Sequence, residues 1–201
     1  MSEKRYTYSD YRQLPDDARY EIIDGELYVA TPAPSRHHQA VVGEVFRQLA
    51  NQLLVHRCEA YVAPFDVMLP APDEDLEDAA TVVQPDVVVV CDPQKLDARG
   101  CVGAPDLAVE VVSGESRRQD AVRKRSLYER HGVREYWIVE PARRAVTQLT
   151  LDPGTGMYRG DPGAHGADAA PASAPAGPET GELESTALPG VILDLSTVFP
   201  Q

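Results

Sequence analysis

The chain has 201 residues, 43% of them hydrophobic, and a formal net charge of −13. That is the length of one domain with enough apolar material for a sizeable core, and the acidic balance counts against a surface that grips nucleic acid through many phosphates at once. No stretch approaches the roughly 18 uninterrupted apolar residues of a membrane helix. The start, MSEKRYTYSDYRQL, lacks the apolar run of a secretory signal, so the expected address is cytoplasmic. Cys58, Cys91 and Cys101 are odd in number and show no C-x-x-C spacing. They indicate neither a disulfide framework nor a zinc knuckle and read as structural. Charge is unevenly spread: residues 72–78 (PDEDLED) hold five acids and no base, whereas 117–134 hold seven Arg or Lys against two acids. Local charge decides what a cleft attracts.

In chain order, TYSDYRQLPDD predicts a short helix capped by Ser9 and closed by a Pro-Asp-Asp turn. YEIIDGELYVATPAP alternates about Asp24-Gly25, a strong hairpin signal, with strands at about 19–23 and 26–31. Val41, Val42, Val45, Leu49 and Leu53 then recur at spacings of three and four behind Ser35, which predicts a capped helix over about 36–55. EAYVAPFDVMLP reads as a strand pair or one bent strand, followed by an acidic loop at 71–80. TVVQPDVVVVCDP and APDLAVEVVSG are short, β-branched and flanked by turn residues, as strands buried on both faces are. RRQDAVRKRSLYERHGV predicts a helix ending at Gly132. EYWIVEP is another buried strand, with AVTQLTL as its outer neighbour. Composition shifts at about 152–182 to Gly, Pro, Ala and Ser without a period, the pattern of a flexible loop. LPGVILDLSTVFP is apolar again and is expected to dock on the sheet. The whole, 1–201, reads as a single α/β domain carrying that loop.

Two carboxylates stand out. Asp86 precedes four valines in QPDVVVV, and Glu110 lies between valines in DLAVEVV. Burying a carboxylate in an apolar strand is expensive unless something cationic meets it. One such residue is explained by a strand end or an ion pair; two in neighbouring strands favour a shared cation by about two to one. Lys124 follows Asp120 at i+4 and precedes Tyr128 at i+4, so the three share a helical face. That face can reach the strand ends, although a solvated basic face is the commoner fate of such runs. Glu21 in YEII either completes the carboxylate cluster or faces solvent, and Glu26 is a weaker candidate. His38, early in the long helix, either reaches the site or serves structure, the commoner role of a lone histidine. Gly-rich phosphate loops, G-x-S-x-G and H-E-x-x-H are missing. Ser113-Gly114 has no convincing His partner for serine hydrolysis.

An Asp on one strand, a Glu on the next and then a basic residue resembles the PD-(D/E)XK nuclease superfamily. More narrowly, the chain resembles the Uma-two family of restriction-endonuclease-like proteins. The stretches that carry the likeness are YEIIDGEL, TPAPSRHHQAVVGEV, VQPDVVVV, the run from GAPDLAVEVV to EYWIVEP, and LPGVILDL. The resemblance implies a restriction-endonuclease-like fold, a mixed β-sheet flanked by α-helices. It implies Mg²⁺ (or Mn²⁺) on Asp86 and Glu110, with Glu21 as a further acid, and phosphodiester hydrolysis of nucleic acid, DNA foremost, against the basic face at 117–134. The superfamily places its lysine two residues after the glutamate, where this chain has Val112; the Uma-like group supplies it from the next helix, which Lys124 fits. Where the family often shows Ser-Pro-Ser, this chain has Ser113-Gly114-Glu115-Ser116, a departure that touches the turn and not the ligands. Two rival readings stand beside it: a catalytically silent protein-binding scaffold that keeps the fold, and a small-molecule phosphodiesterase that uses the same carboxylates. A homodimer is open on either.

Overall fold

A computed structural model describes residues 4–15, 18–30, 34–112, 114–159 and 181–199. The first element, α1 (Tyr8–Tyr11), is a single turn capped by Thr7 and not by Ser9. The Thr7 N–H donates to the Asp10 carboxylate at 3.1 Å, and the Tyr11 N–H returns to the Thr7 carbonyl at 2.9 Å. Next, β1 (Arg19–Ile23) and β2 (Glu26–Ala30) form the expected hairpin. Its turn places Asp24 at φ 54° and Gly25 at φ 87°, the left-handed pair that matches the twist of a two-residue hairpin. Helix α2 (Arg36–Leu53) begins where the Ser35 hydroxyl accepts the His38 N–H at 3.2 Å, and its stripe from Val41 to Leu53 is buried.

After α2 the chain alternates between two sheets. It forms β3 (Glu59–Val62), β4 (Asp66–Met68), β5 (Val82–Val83), β6 (Val87–Val90), β7 (Gly100–Val102) and β8 (Leu107–Val111). The run TVVQPDVVVV is therefore two strands, not one. Pro85 has no N–H to give a ladder, and at Gln84-Pro85 the chain leaves the first sheet for the second. Helix α3 (Glu115–His131) follows and stops at Gly132, whose φ of 83° is the left-handed stop expected there. The remainder is β9 (Glu135–Glu140), β10 (Ala145–Leu151), β11 (Tyr158–Arg159), β12 (Glu182–Glu184), β13 (Ile192–Asp194) and α4 (Leu195–Val198). Of the segment read as a loop, 160–180 lies outside the described residues; its flanks include β11, which pairs with β10, and β12, which pairs with β13.

The architecture is α/β with mixed sheets. One sheet runs β2-β1-β5-β4-β7, the other β11-β10-β9-β8-β6-β3, and β12-β13 is a separate pair. In the six-stranded sheet β8 and β9 are parallel, joined by α3, while β6 and β8 are antiparallel. Alternate residues of its central strands feed two cores. Val87, Val89, Val109 and Trp137 pack with α2 and the C-terminal residues Leu188 to Phe199. Val88, Val90, Ala108 and Tyr136 pack with α3 and the five-stranded sheet. Burial on both faces explains the near-continuous valine runs. The C-terminal segment, expected on the sheet, packs together with α2 on one face of the six-stranded sheet.

The cysteines need correction. Cys58 and Cys91 form a disulfide, and Cys101 is a buried free thiol. The β3–β6 register pairs Glu59 with Val90, so one further step places residue 58 opposite 91. A separation of 33 residues conceals that pairing in the sequence.

Candidate active site

The β6–β8 register pairs Val87 with Val109; one further step sets Asp86 opposite Glu110. Opposed residues of an antiparallel pair share a sheet face, and by alternation this is the α3 side, with Val88 and Ala108. Asp86, at the strand's entry, is 6% exposed and Glu110 8%. Asp86 Oδ2 accepts the Val111 N–H at 2.8 Å and lies 3.2 Å from His38 Nε2. An ionised carboxylate only accepts, so Nε2 carries the proton.

Lys124 and Tyr128 arrive one helical turn apart on α3. The Lys124 ammonium donates to Glu110 Oε1 at 2.9 Å and to Glu21 Oε1 at 2.8 Å, and lies 3.5 Å from Asp120. The Tyr128 hydroxyl donates to the same Glu110 oxygen at 3.2 Å. Glu21 Oε1 also accepts the Gln84 N–H at 2.7 Å. The structure thus brings together Asp86, Glu110, Lys124, Glu21, His38 and Tyr128. It leaves out Glu26, which is exposed and bonded by the Tyr28 hydroxyl. Ser113 lies outside the described residues. The Val111 and Gln84 amides were invisible in the sequence, since backbone donors leave no residue-type signal.

The electrostatics follow from one ammonium shared among several acids. Burial pushes Glu110 up to about 8; Lys124 opposes this, while Asp86 and Glu21 add to it. Burial also raises Asp86, but the His38 hydrogen bond and charge, the Val111 amide and Lys124 outweigh it and hold the carboxyl below its ordinary value. For Lys124, burial lowers the ammonium and is overcome by Glu110 and Glu21, which lift it well above the usual lysine range. The two opposed carboxyls are therefore pushed in opposite directions, Glu110 up and Asp86 down.

A profile of the Uma2 family, described as "Putative restriction endonuclease", matches residues 8–177. The chain belongs to the Uma2 family. Among solved structures it is similar to a putative nuclease belonging to DUF820 from Anabaena variabilis ATCC 29413. The two share 16% identity, with 96% of this chain and 97% of that one covered, at a TM-score of 0.60. At that identity the likeness shows the fold. No curated protein matches the chain in sequence.

Restriction-endonuclease-like families are usually metal dependent, and the donor set here suits a hard cation. All the candidates are carboxylates, and a buried ammonium already sits as a cation among them. Among the described residues no hydrogen bond ends on Asp86 Oδ1 or Glu110 Oε2, and no group of three or more His, Cys, Asp or Glu has metal-binding geometry. Two carboxylates suffice for Mg²⁺, which keeps several waters and takes its remaining ligands from substrate phosphate. The basic segment 117–134 is less of a positive wall than its composition suggests. Lys124 is buried, Arg130 pairs with Asp24 at 2.6 Å, and Arg134 pairs with Asp106 at 3.0 Å. No described helix is long and apolar enough to cross a membrane.

Proposed function

We propose that this Uma2 chain is a Mg²⁺-dependent endonuclease hydrolysing phosphodiester bonds of nucleic acid, DNA foremost, with Mn²⁺ able to substitute. The observation that supports this best is the opposition of Asp86 and Glu110 on one sheet face with the Lys124 ammonium against Glu110. Asp86 Oδ1 and Glu110 Oε2 would hold the ion. Bound there, Mg²⁺ polarises the phosphate and lowers the pKa of an attacking water.

The chain's own groups do the rest. His38 and the Val111 amide fix the Asp86 carboxylate in its ionised form with one oxygen free, an orientation that typically matters tenfold or more in ligand strength. Tyr128 orients the Glu110 carboxyl. Lys124, held by Glu21, carries fixed positive charge toward the phosphate, where charge builds up in the transition state. The polar donors are preorganised, so little reorganisation accompanies the reaction.

The test is incubation with plasmid, single strands, RNA and a phosphodiester dye, with and without Mg²⁺. The wild type should cleave polymer only with the ion, and Asp86→Ala and Glu110→Ala should each lose cleavage. Retained activity in either variant ends this reading, and cleavage of the dye alone points to a small-molecule phosphodiesterase.

A further inference from the structure

Two adjoining clefts of about 430 and 580 Å³ lie where the chain crosses between sheets. Both are lined by Pro64, Asp66, Gln84 and Arg99, which makes them one groove with two chambers. Each has the volume of a small-ligand site. Gln84 joins this groove to the carboxylate cluster: its side chain lines both chambers while its amide binds Glu21. Asp86 follows two residues later, a span of at most about 7 Å along the chain.

The centre of the groove is a polar network. Asp66 Oδ1 accepts the Tyr11 hydroxyl and the Gln84 side-chain amide, each at 2.8 Å. Arg19 Nε donates to Gln84 Oε1 at 3.1 Å. Among the described residues, Asp66 takes only neutral donors, its Oδ2 accepts nothing, and Arg19 is paired with no carboxylate. The other arginines of the groove differ in this respect: Arg12 is 2.9 Å from Glu77, and Arg99 is 2.7 Å from Asp97. In so acidic a chain a guanidinium in a cleft with no carboxylate partner among the described residues is a place for an anion. The smaller chamber adds Tyr61 and Phe65, whose rings stack on one another at 4.1 Å and 7°, so the pair can offer a ligand only an outer ring face.

We infer that this groove seats an unpaired nucleotide of the strand being cut, with the base stacked on the outer face of the Tyr61–Phe65 pair. The base's amino edge meets Asp66 Oδ2, and a neighbouring phosphate meets Arg19. Flat rings combined with a hydrogen-bonding edge recognise bases that are already unstacked, which favours a single strand over a duplex. The inference rests on the nuclease reading for what the ligand is.

It is tested by fluorescence anisotropy with a labelled single-stranded DNA hexamer, and the same hexamer in duplex, in chelator so that cleavage cannot intervene. The wild type should bind the single strand at least tenfold more tightly. Arg19→Gln should weaken binding about fivefold or more and reduce the salt slope by about one. Tyr61→Leu should weaken it at least fivefold, and Asp66→Asn should reorder preference among homopolymeric dA, dC, dG and dT hexamers. Unchanged affinity in both Arg19→Gln and Tyr61→Leu, or tighter binding of the duplex, overturns the inference. If Mg²⁺-dependent cleavage survives that result, only the groove is lost. If the groove variants behave as expected but the wild type cleaves nothing, only the nuclease reading is lost.

Discussion

Replacing Lys124 with methionine keeps the stem and removes the charge. Lys124 is 3% exposed, and its ammonium contacts Glu110 and Glu21 at 2.9 and 2.8 Å. Its loss leaves Glu110 a buried carboxyl whose remaining described partner at Oε1 is Tyr128. Removing one partner of a buried pair costs about 3–5 kcal/mol, against a total domain stability of about 5–15 kcal/mol. The cost depends on pH because Glu110 can escape by taking a proton. Its folded pKa of about 8 lies above the unfolded value of about 4.3. The folded state therefore holds a proton the unfolded chain has lost, and this carboxyl's contribution to stability falls as pH rises from about 4.3 to 8. Lys124 lowers that value, so in the variant Glu110 keeps its proton to still higher pH. The loss should be about 1–2 kcal/mol at pH 6, the scale of a missing hydrogen bond to a charged group, and should grow as pH rises above 8, where the wild type ionises and the variant resists. Urea unfolding followed by Trp137, the single and fully buried tryptophan, measures both. Adding Glu110→Gln to Lys124→Met should recover the pH-dependent part of that loss and flatten its rise above pH 8. A loss under about 1 kcal/mol at pH 9, or one indifferent to pH and to Glu110→Gln, refutes the buried ammonium–carboxylate arrangement.

Three further outcomes are expected. His38→Ala should weaken Mn²⁺ binding by calorimetry about 10–100-fold while the fold persists, since it removes the group orienting Asp86; unchanged affinity would show that His38 only packs. Comparing urea curves with and without reductant should show the Cys58–Cys91 bond contributing about 2–4 kcal/mol for its 33-residue separation, and coincident curves would contradict it. Glu44 is held down to about 2, chiefly by Arg47, with burial opposing and Gln48 and Thr197 assisting. Its stability contribution is present above about pH 4.3 and lost as pH falls toward 2. Because Thr197 of α4 bonds Glu44, lowering the pH through that window should speed proteolytic nicking of the C-terminal segment in the wild type and change it little in a Glu44→Gln variant; equal acid sensitivity of the two proteins sinks the assignment.

How much of this was legible follows from what a linear pattern encodes. Period and composition marked α2, the Asp24-Gly25 hairpin and the buried strands, and carboxylates inside valine runs drew attention to Asp86 and Glu110. The i+4 spacing put Lys124 and Tyr128 on one helical face. Register is what a lone sequence withholds. Without it Glu21 could not be assigned to the cluster or to solvent, the long valine run concealed its crossing between sheets at Pro85, and Cys58 and Cys91 showed no reason to meet. The basic composition of 117–134 misled for a related reason. Charge counts along a helix do not show which guanidiniums are already answered by Asp24 or Asp106. The groove at Asp66 had no motif at all, because its residues come from α1, β1, β4 and the link after β5.

The most direct test is a Mn²⁺-soaked crystal examined by anomalous diffraction. The account predicts a single strong peak within about 2.0–2.3 Å of one oxygen each from Asp86 and Glu110, with Lys124 still beside Glu110. An empty site at saturating Mn²⁺, or a peak elsewhere that leaves these two carboxylates uncoordinated, would contradict it.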